Sequence, residues 1–236
     1  IKIKQKKLLI TAKNKVKIID VDKKMTFESE NIKLDQQPKI LTSQTDSILT
    51  DKFKNNFLTK SFEYNLNDNI LKITKAKFSD YKKNKFEIDL AYINTVSNKL
   101  LGKDVTLNLN NESFNKDNEP RLKGRSITHD NNITEIGKGV FTTCKKRDKC
   151  PPWELSAEKI KHDKKNQEIK YKNAWLKVYD IPVVYFPKFF HPDPTVDRKS
   201  GFLIPSLKNS PNSSGYLSLP YYKVLSENKD LTFTPR

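Results

Sequence analysis

Glycine is scarce in this chain, six in 236 residues, which argues against a fold organised around a glycine-rich phosphate loop. No apolar run is long enough for a transmembrane helix. A membrane β-barrel stays open, because barrel strands alternate and escape hydropathy scans. Histidine is limited to His129, His162 and His191, far apart and without ligand spacing, so neither a metal centre nor a bound cofactor is expected. Nucleophile-elbow and zinc-protease motifs are absent, and no carboxylate pair can be assigned, so the expectation is a protein that is not an enzyme. His129-Asp130 and His162-Asp163 are adjacent pairs. On a strand such neighbours point to opposite faces, so each aspartate is expected to serve the backbone of the turn that follows. Without a recognised nucleic-acid module, no nucleic-acid partner is expected. The chain opens at Ile1 without a signal-peptide core and stops at Arg236 just after a strand-like run, which reads as a piece of a longer protein.

Charge is plentiful. Lys+Arg number 45 against 28 Asp+Glu, a net +17, which favours anionic partners such as phospholipid or phosphorylated glycolipid. Lysine is spread along the chain, so compositional drift competes with that reading. Hydrophobic residues are only 35%, enough for one modest core. Cys144 and Cys150 flank a short basic loop. Their spacing suits a disulfide in an oxidising compartment, with free thiols as the alternative, while a metal site would need two further ligands.

Apolar residues recur with period two. Val16 and Ile18, Met25 and Phe27, Ile32 and Leu34, and Val105, Leu107 and Leu109 alternate with polar neighbours, the signature of strands with one buried face. Clusters such as Asp22-Lys23-Lys24, Asn67-Asp68-Asn69 and Lys164-Lys165-Asn166 supply turn chemistry between them. Residues 80–100 are the least clear, and a short helix there is an open alternative.

The strand–turn–strand unit repeats. Ser61–Phe78 lies over Lys159–Leu176 without a gap, pairing Phe62 with Ile160, Asn65 with Asp163, Ile73 with Tyr171 and Ala76 with Ala174. A third copy runs from Ser126 to Phe141 with a shorter turn. In the first two copies the apolar phase slips by one residue, at Lys75 and at Asn173. Such a slip predicts a bulge or corner that bends the sheet into a trough. By parity alone, Leu71 and Ile73 fall on one face and Ala76 and Phe78 on the other, as do Tyr171 and Leu176. Leu71, Ile73, Ile169, Tyr171 and Leu176 are the candidate trough residues. Trp153 and Trp175 are expected as core or rim packing, with a sugar platform as the rival.

Ten of the twelve prolines lie from Pro151 onward. Ile181-Pro182-Val183-Val184-Tyr185-Phe186-Pro187-Lys188-Phe189-Phe190 is apolar, aromatic and proline-interrupted, which places it at a sheet edge or in an extended connection. Gly201-Phe202-Leu203-Ile204-Pro205, Tyr216–Tyr222 and Leu231–Thr234 then alternate with aromatic ends, as barrel strands do.

Cys144, Pro152-Trp153, Ser156-Ala157 to His162-Asp163, Asn173-Ala174-Trp175, His191–Val196, Arg198–Pro205 and Leu219–Tyr222 keep the order of motifs in the LptD family of lipopolysaccharide-assembly proteins, which this chain resembles, with most likeness to the alphaproteobacterial branch. Residues 1–143 match only in the style of OstA-like strands. The resemblance implies an all-β protein: an OstA-like, V-shaped β-jelly roll of stacked hairpins over 1–180, a proline-rich junction over 181–198, and the first strands of an antiparallel transmembrane β-barrel over 199–236. It implies lipopolysaccharide transport, with an apolar trough that accepts the lipid and passes it to a barrel with a lateral opening. Implied partners are lipopolysaccharide, an LptA-like periplasmic bridge of the same fold and an LptE-like plug lipoprotein. The implied location is the outer membrane, with the N-terminal domain in the periplasm. Pro205 and Pro220 match the prolines that weaken pairing at the lateral gate. Family disulfides link distant cysteines, so Cys144 and Cys150 are candidates for pairing with each other or with cysteines beyond this sequence. The rival readings are a soluble bridge of the same fold without a barrel, and a carbohydrate-active β-solenoid.

Overall fold

In the computed structural model the described residues are 9–79, 83–110, 119–130, 132–145, 152–192, 198–203, 206–210 and 213–235. Every regular element among them is a β-strand, paired antiparallel wherever a register is defined, so the all-β expectation holds. The chain forms two compact units: residues 1–110 with 125–131, and residues 111–124 with 132–236. Strand β10 (Arg121–Asp130) contributes to both.

The first unit holds β1 (Leu9–Asp20), β2 (Met25–Asp35), β3 (Ile40–Ser43), β4 (Ser47–Thr50), β5 (Asn56–Thr59), β6 (Ser61–Asn65), β7 (Ile70–Ser79), β8 (Lys85–Asn94) and β9 (Leu100–Asn108). The short strands are halves of longer, bent ones. β6 pairs with the first half of β7, while β5 meets its second half at Leu58–Lys77, and Lys60 marks the break. β3 and β4 pair in the same way with the two ends of β2. At their break the hydroxyl of Ser29 lies 2.8 Å from those of Ser43 and Thr45, and Ser47 Oγ donates to Ser29 Oγ at 2.9 Å. Hydroxyls there supply the hydrogen bonds that an interrupted ladder gives up. The halves fold onto each other: Phe27 packs at a tilt on Phe62 at 5.3 Å and stacks on Tyr64 at 5.4 Å, joining residues from both arms. Residues 85–94 and 100–108 are strand with a turn between them, so the short helix left open for 80–100 does not occur among the described residues. Phe86, Ile88 and Leu90 alternate with charged neighbours, and that period fits a pleated ladder.

The second unit holds β11 (Ile133–Thr142), β12 (Trp153–Asp163), β13 (Glu168–Val178), β14 (Ile181–Pro192), β15 (Gly201–Phe202), β16 (Ser206–Ser210), β17 (Ser213–Ser218), β18 (Tyr221–Ser226) and β19 (Lys229–Phe233). β11 to β14 form successive hairpins. β14 pairs with β13 along its length and lies at the end of its sheet, so the sheet extends past residue 180 into the proline-rich stretch. Three prolines are tolerated there because an edge strand has one side with no ladder to complete. β15 with β18 and β19, and β16 with β17, make two small further sheets.

The phase slip has a backbone cause. Lys75 and Asn173 hold left-handed φ angles of 48° and 49°, and so do Asp104 at 50° and Lys138 at 49°. Register is kept on both sides of each (Thr74↔Leu90 and Ala76↔Ile88; Lys172↔Lys188 and Ala174↔Phe186), so this is a corner and not an inserted residue. A left-handed residue rotates the following strand by about one pleat. That overturns the simple parity expectation: Ile73 and Ala76 both face inward, and so do Tyr171 and Leu176. The aligned copies also match in their turns. Asn69 and Gln167 are both left-handed, at φ 57° and 51°, and Asn65 and Asp163 each accept a backbone N–H three residues on.

Candidate functional site

In each unit the buried apolar side chains gather on the inward faces of the strands. In the first unit Phe27, Phe62, Tyr64, Leu71, Ile73 and Ile88 are almost fully buried. At one end this interior opens into a cavity of about 480 Å³ lined by Ile18, Phe27, Leu34, Leu41, Tyr64 and Leu66, with Asp20, Asp22 and Lys23 alongside. Tyr64 lies 3.2 Å from the Thr95 hydroxyl and donates to Asp20 at 3.5 Å. Burial chiefly holds its phenol above the usual pKa, so it stays a neutral donor. Apolar walls beside a charged group suit an amphiphile with a hydrocarbon body and a polar head. The candidates Leu71 and Ile73 are 2% and 1% exposed, behind this cavity rather than lining it. The lining residues Ile18 and Leu34 carried a period-two signal, whereas Leu41 and Leu66 sit beside turns and gave none.

In the second unit Tyr171 and Leu176 are buried and Ile169 is half-buried. Tyr171 Oη sits 2.9 Å from His191 Nε2, while His191 Nδ1 lies 2.7 Å from the Pro192 carbonyl. A carbonyl only accepts, so Nδ1 carries the proton, and in the neutral ring Nε2 accepts from Tyr171. Burial raises the Tyr171 pKa far above its ordinary value. From there aromatic rings continue through Phe189 to Phe202 at 5.0 Å and on to Tyr221 at 5.0 Å. This apolar path joins β13 and β14 to the strands that follow. Trp153 is core at 3% exposure, while Trp175 is 42% exposed and packs on Tyr185 at 4.8 Å.

Two adjacent side chains, at 198 and 199, reach turns elsewhere in the second unit. Lys199 donates to the Asn166 carbonyl in the β12–β13 turn and pairs with Glu168 at 3.8 Å. Arg198 donates to the Ser226, Glu227 and Lys229 carbonyls and pairs with Asp230 at 3.3 Å, clamping the β18–β19 turn. Pro220 sits between β17 and β18, its carbonyl accepting from Leu203 N at 2.8 Å. Pro205 and Cys150 lie outside the described residues, and Cys144 carries a free thiol. Asp163 meets the turn expectation directly, accepting from Asn166 N at 3.0 Å and Asn166 Nδ2 at 2.9 Å, bonds that hold its carboxyl below the ordinary range.

No family model matches the chain. Among curated proteins it is 42% identical over 110 residues to the LPS-assembly protein LptD of Shewanella frigidimarina, covering 46% of this chain and 14% of that one. It is 35% identical over 126 residues to LptD of Nitrosococcus oceani, covering 52% and 16%. With LptD of Haemophilus influenzae the identity is 32% over 146 residues, covering 58% and 18%. Over these stretches the chain is similar to LptD. It matches only a small part, 14–18%, of the length of these LptD relatives. They come from gammaproteobacteria, so the expected leaning toward an alphaproteobacterial LptD gains no support.

Proposed function

We propose that this chain is the lipid-receiving segment of an LptD-like lipopolysaccharide-assembly protein at the outer membrane. The observation that carries the reading is the identity to proteins named for lipopolysaccharide assembly. The inward apolar surface supports it. Acyl chains are accepted by the interior of the corner-bent hairpins in the periplasm and move along the Tyr171–Phe189–Phe202 path toward strands that begin a barrel within 199–236. An LptA-like bridge supplies the lipid, an LptE-like lipoprotein plugs the barrel, and Pro205 and Pro220 loosen its first strands. Binding and hand-over are the whole task, with no catalysed step.

Photo-crosslinking tests this. A photoreactive residue replaces inward Leu176, Tyr171 or Leu34 in separate variants, and outward Lys172 in a fourth, within the membrane-assembled protein. Lipopolysaccharide adducts at the inward positions and not at Lys172 are expected. Adducts at Lys172 alone, or at none of the four in folded protein, overturn the proposal.

A further inference from the structure

The outer surface of β12–β14 has a composition that the interior does not explain. On β13 and β14, Trp175 and Tyr185 are cross-strand partners on the outside, and the Tyr185 hydroxyl donates to Asn173 Oδ1 at the corner at 2.9 Å. The hairpin tip continues the strip with Tyr179 and Ile181, 54% and 64% exposed. Tyr179 and Asp180 are both left-handed, at φ 49° and 66°. They are the two residues of the tight turn that joins Val178 to Ile181, which requires that conformation at both positions, and the Tyr179 ring is left facing solvent. Across the corner the same outer surface is basic. Lys159, Lys172 and Lys188 lie in one cross-strand row, and Lys161 and Lys170 are partners in the next. Like charges placed opposite one another destabilise a sheet.

The carboxylates nearby are already engaged: Glu135 with Lys159 at 2.9 Å, Glu154 with Lys177 at 3.1 Å, Glu168 with Lys170 at 2.6 Å, and Glu158 with the Asn173 side chain. Lys172 and Lys188 have no ion-pair partner among the described residues. Surplus cations beside amphipathic rings form the pattern that settles at a membrane interface, rings at headgroup depth and ammonium groups on lipid phosphates. The free edge of β14 is a poor template for a protein strand, since Pro182, Pro187 and Pro192 interrupt its donors.

We propose that the outer face of β13 and β14, on both sides of the Asn173 corner, rests on the surface of a bilayer containing anionic lipid. The contact is separate from whatever the interior carries.

The chain reports on this itself, because Trp153 is buried and Trp175 is its other tryptophan. The test titrates the full chain with phosphatidylcholine vesicles, with and without phosphatidylglycerol, following tryptophan emission and co-sedimentation. A blue shift and co-sedimentation with the anionic vesicles are expected. Lys172→Gln with Lys188→Gln should weaken partitioning by about thirtyfold, taking each lysine's typical contribution at an anionic surface. Tyr179→Ser with Tyr185→Ser should reduce the blue shift. Lys13→Gln with Lys33→Gln, an equal charge change in the other unit, should leave both readouts close to those of the parent. Failure to bind, absence of the blue shift, or an equal loss in the Lys13/Lys33 variant overturns the proposal. Lipopolysaccharide crosslinking at Leu176 in the same proteins reports on the transport reading separately, so either can fail alone.

Discussion

Replacing Lys75 tests the corner directly. Its side chain is exposed, so substitution removes no core packing, while its φ of 48° is left-handed. A residue with a Cβ is held there at about 1–2 kcal/mol above its preferred regions. Glycine releases that strain but gives up about 0.5–1 kcal/mol through the freer unfolded chain. Lys75→Gly should therefore be neutral to stabilising by about 1 kcal/mol. Valine keeps the strain and adds β-branched crowding, so Lys75→Val should lose about 1 kcal/mol or more. Lys77 is the internal control, exposed on the same strand without a left-handed φ. There the order should invert, because valine suits an extended strand and glycine weakens one by about 0.5–1 kcal/mol. The 3.5 Å pair of Lys77 with Glu87 is exposed, and both control variants lose it equally. Urea unfolding of the four variants gives the four midpoints, with unchanged slopes confirming that only stability moved. Glycine above valine at 75 and below it at 77 is the expected crossing. Parallel orders at the two positions would refute the corner as the source of the phase slip.

Further predictions follow from single contacts. A Cβ on Gly139 would sit 2.5 Å from Ile160 Cδ1, so Gly139→Ala should lower stability by about 1–3 kcal/mol, and Ile160→Val in the same chain should recover part of it in thermal unfolding. Asp163 has a lowered folded pKa. Its contribution is therefore present above the ordinary carboxylate range and is lost as pH falls through the lowered value, so Asp163→Asn should flatten the acid limb of a stability–pH curve, and an unchanged limb would count against the turn bonds. Arg198→Ala removes the clamp on the β18–β19 turn, and hydrogen exchange should quicken over 221–233 while β12 and β13 stay protected. Leu176 is fully buried, and Leu176→Ala should cost about 2–5 kcal/mol in urea unfolding.

The strands were legible because alternation is a local signal, and the corner was legible because the same slip recurs at Lys75 and Asn173. Which way the slip turns the chain was not legible. Parity arithmetic assumes an extended backbone, and a left-handed residue cancels the inversion that parity predicts. Asn173 is a residue type that tolerates this conformation, but Lys75 and Lys138 are not, so nothing in their chemistry marked them. The cavity was hidden for another reason. Its walls come from β1, β2, β3, β6 and the turn after β6, whose meeting depends on how the bent strands fold together, and Leu66 reaches it from a turn. Arg198 and Lys199 were visible as a motif, but their carbonyl partners lie in turns about 30 positions away, a distance over which local patterns carry no information.

The corner also explains how a chain with 35% hydrophobic residues encloses an apolar interior in each unit. A straight strand devotes every second residue to one face. Here a strand with a left-handed corner turns its apolar set inward on both sides of that residue, so Leu71, Ile73 and Ala76 share the inside of the first unit, and Tyr171, Ala174 and Leu176 that of the second. The outer surface then carries most of the lysines, with exposed rings such as Trp175 and Tyr185 among them, and the excess positive charge collects there. A fold built this way has its apolar lining in the folded crease and its cations outside. Such a division lets a hydrocarbon cargo and an anionic surface be met by opposite faces of the same strands.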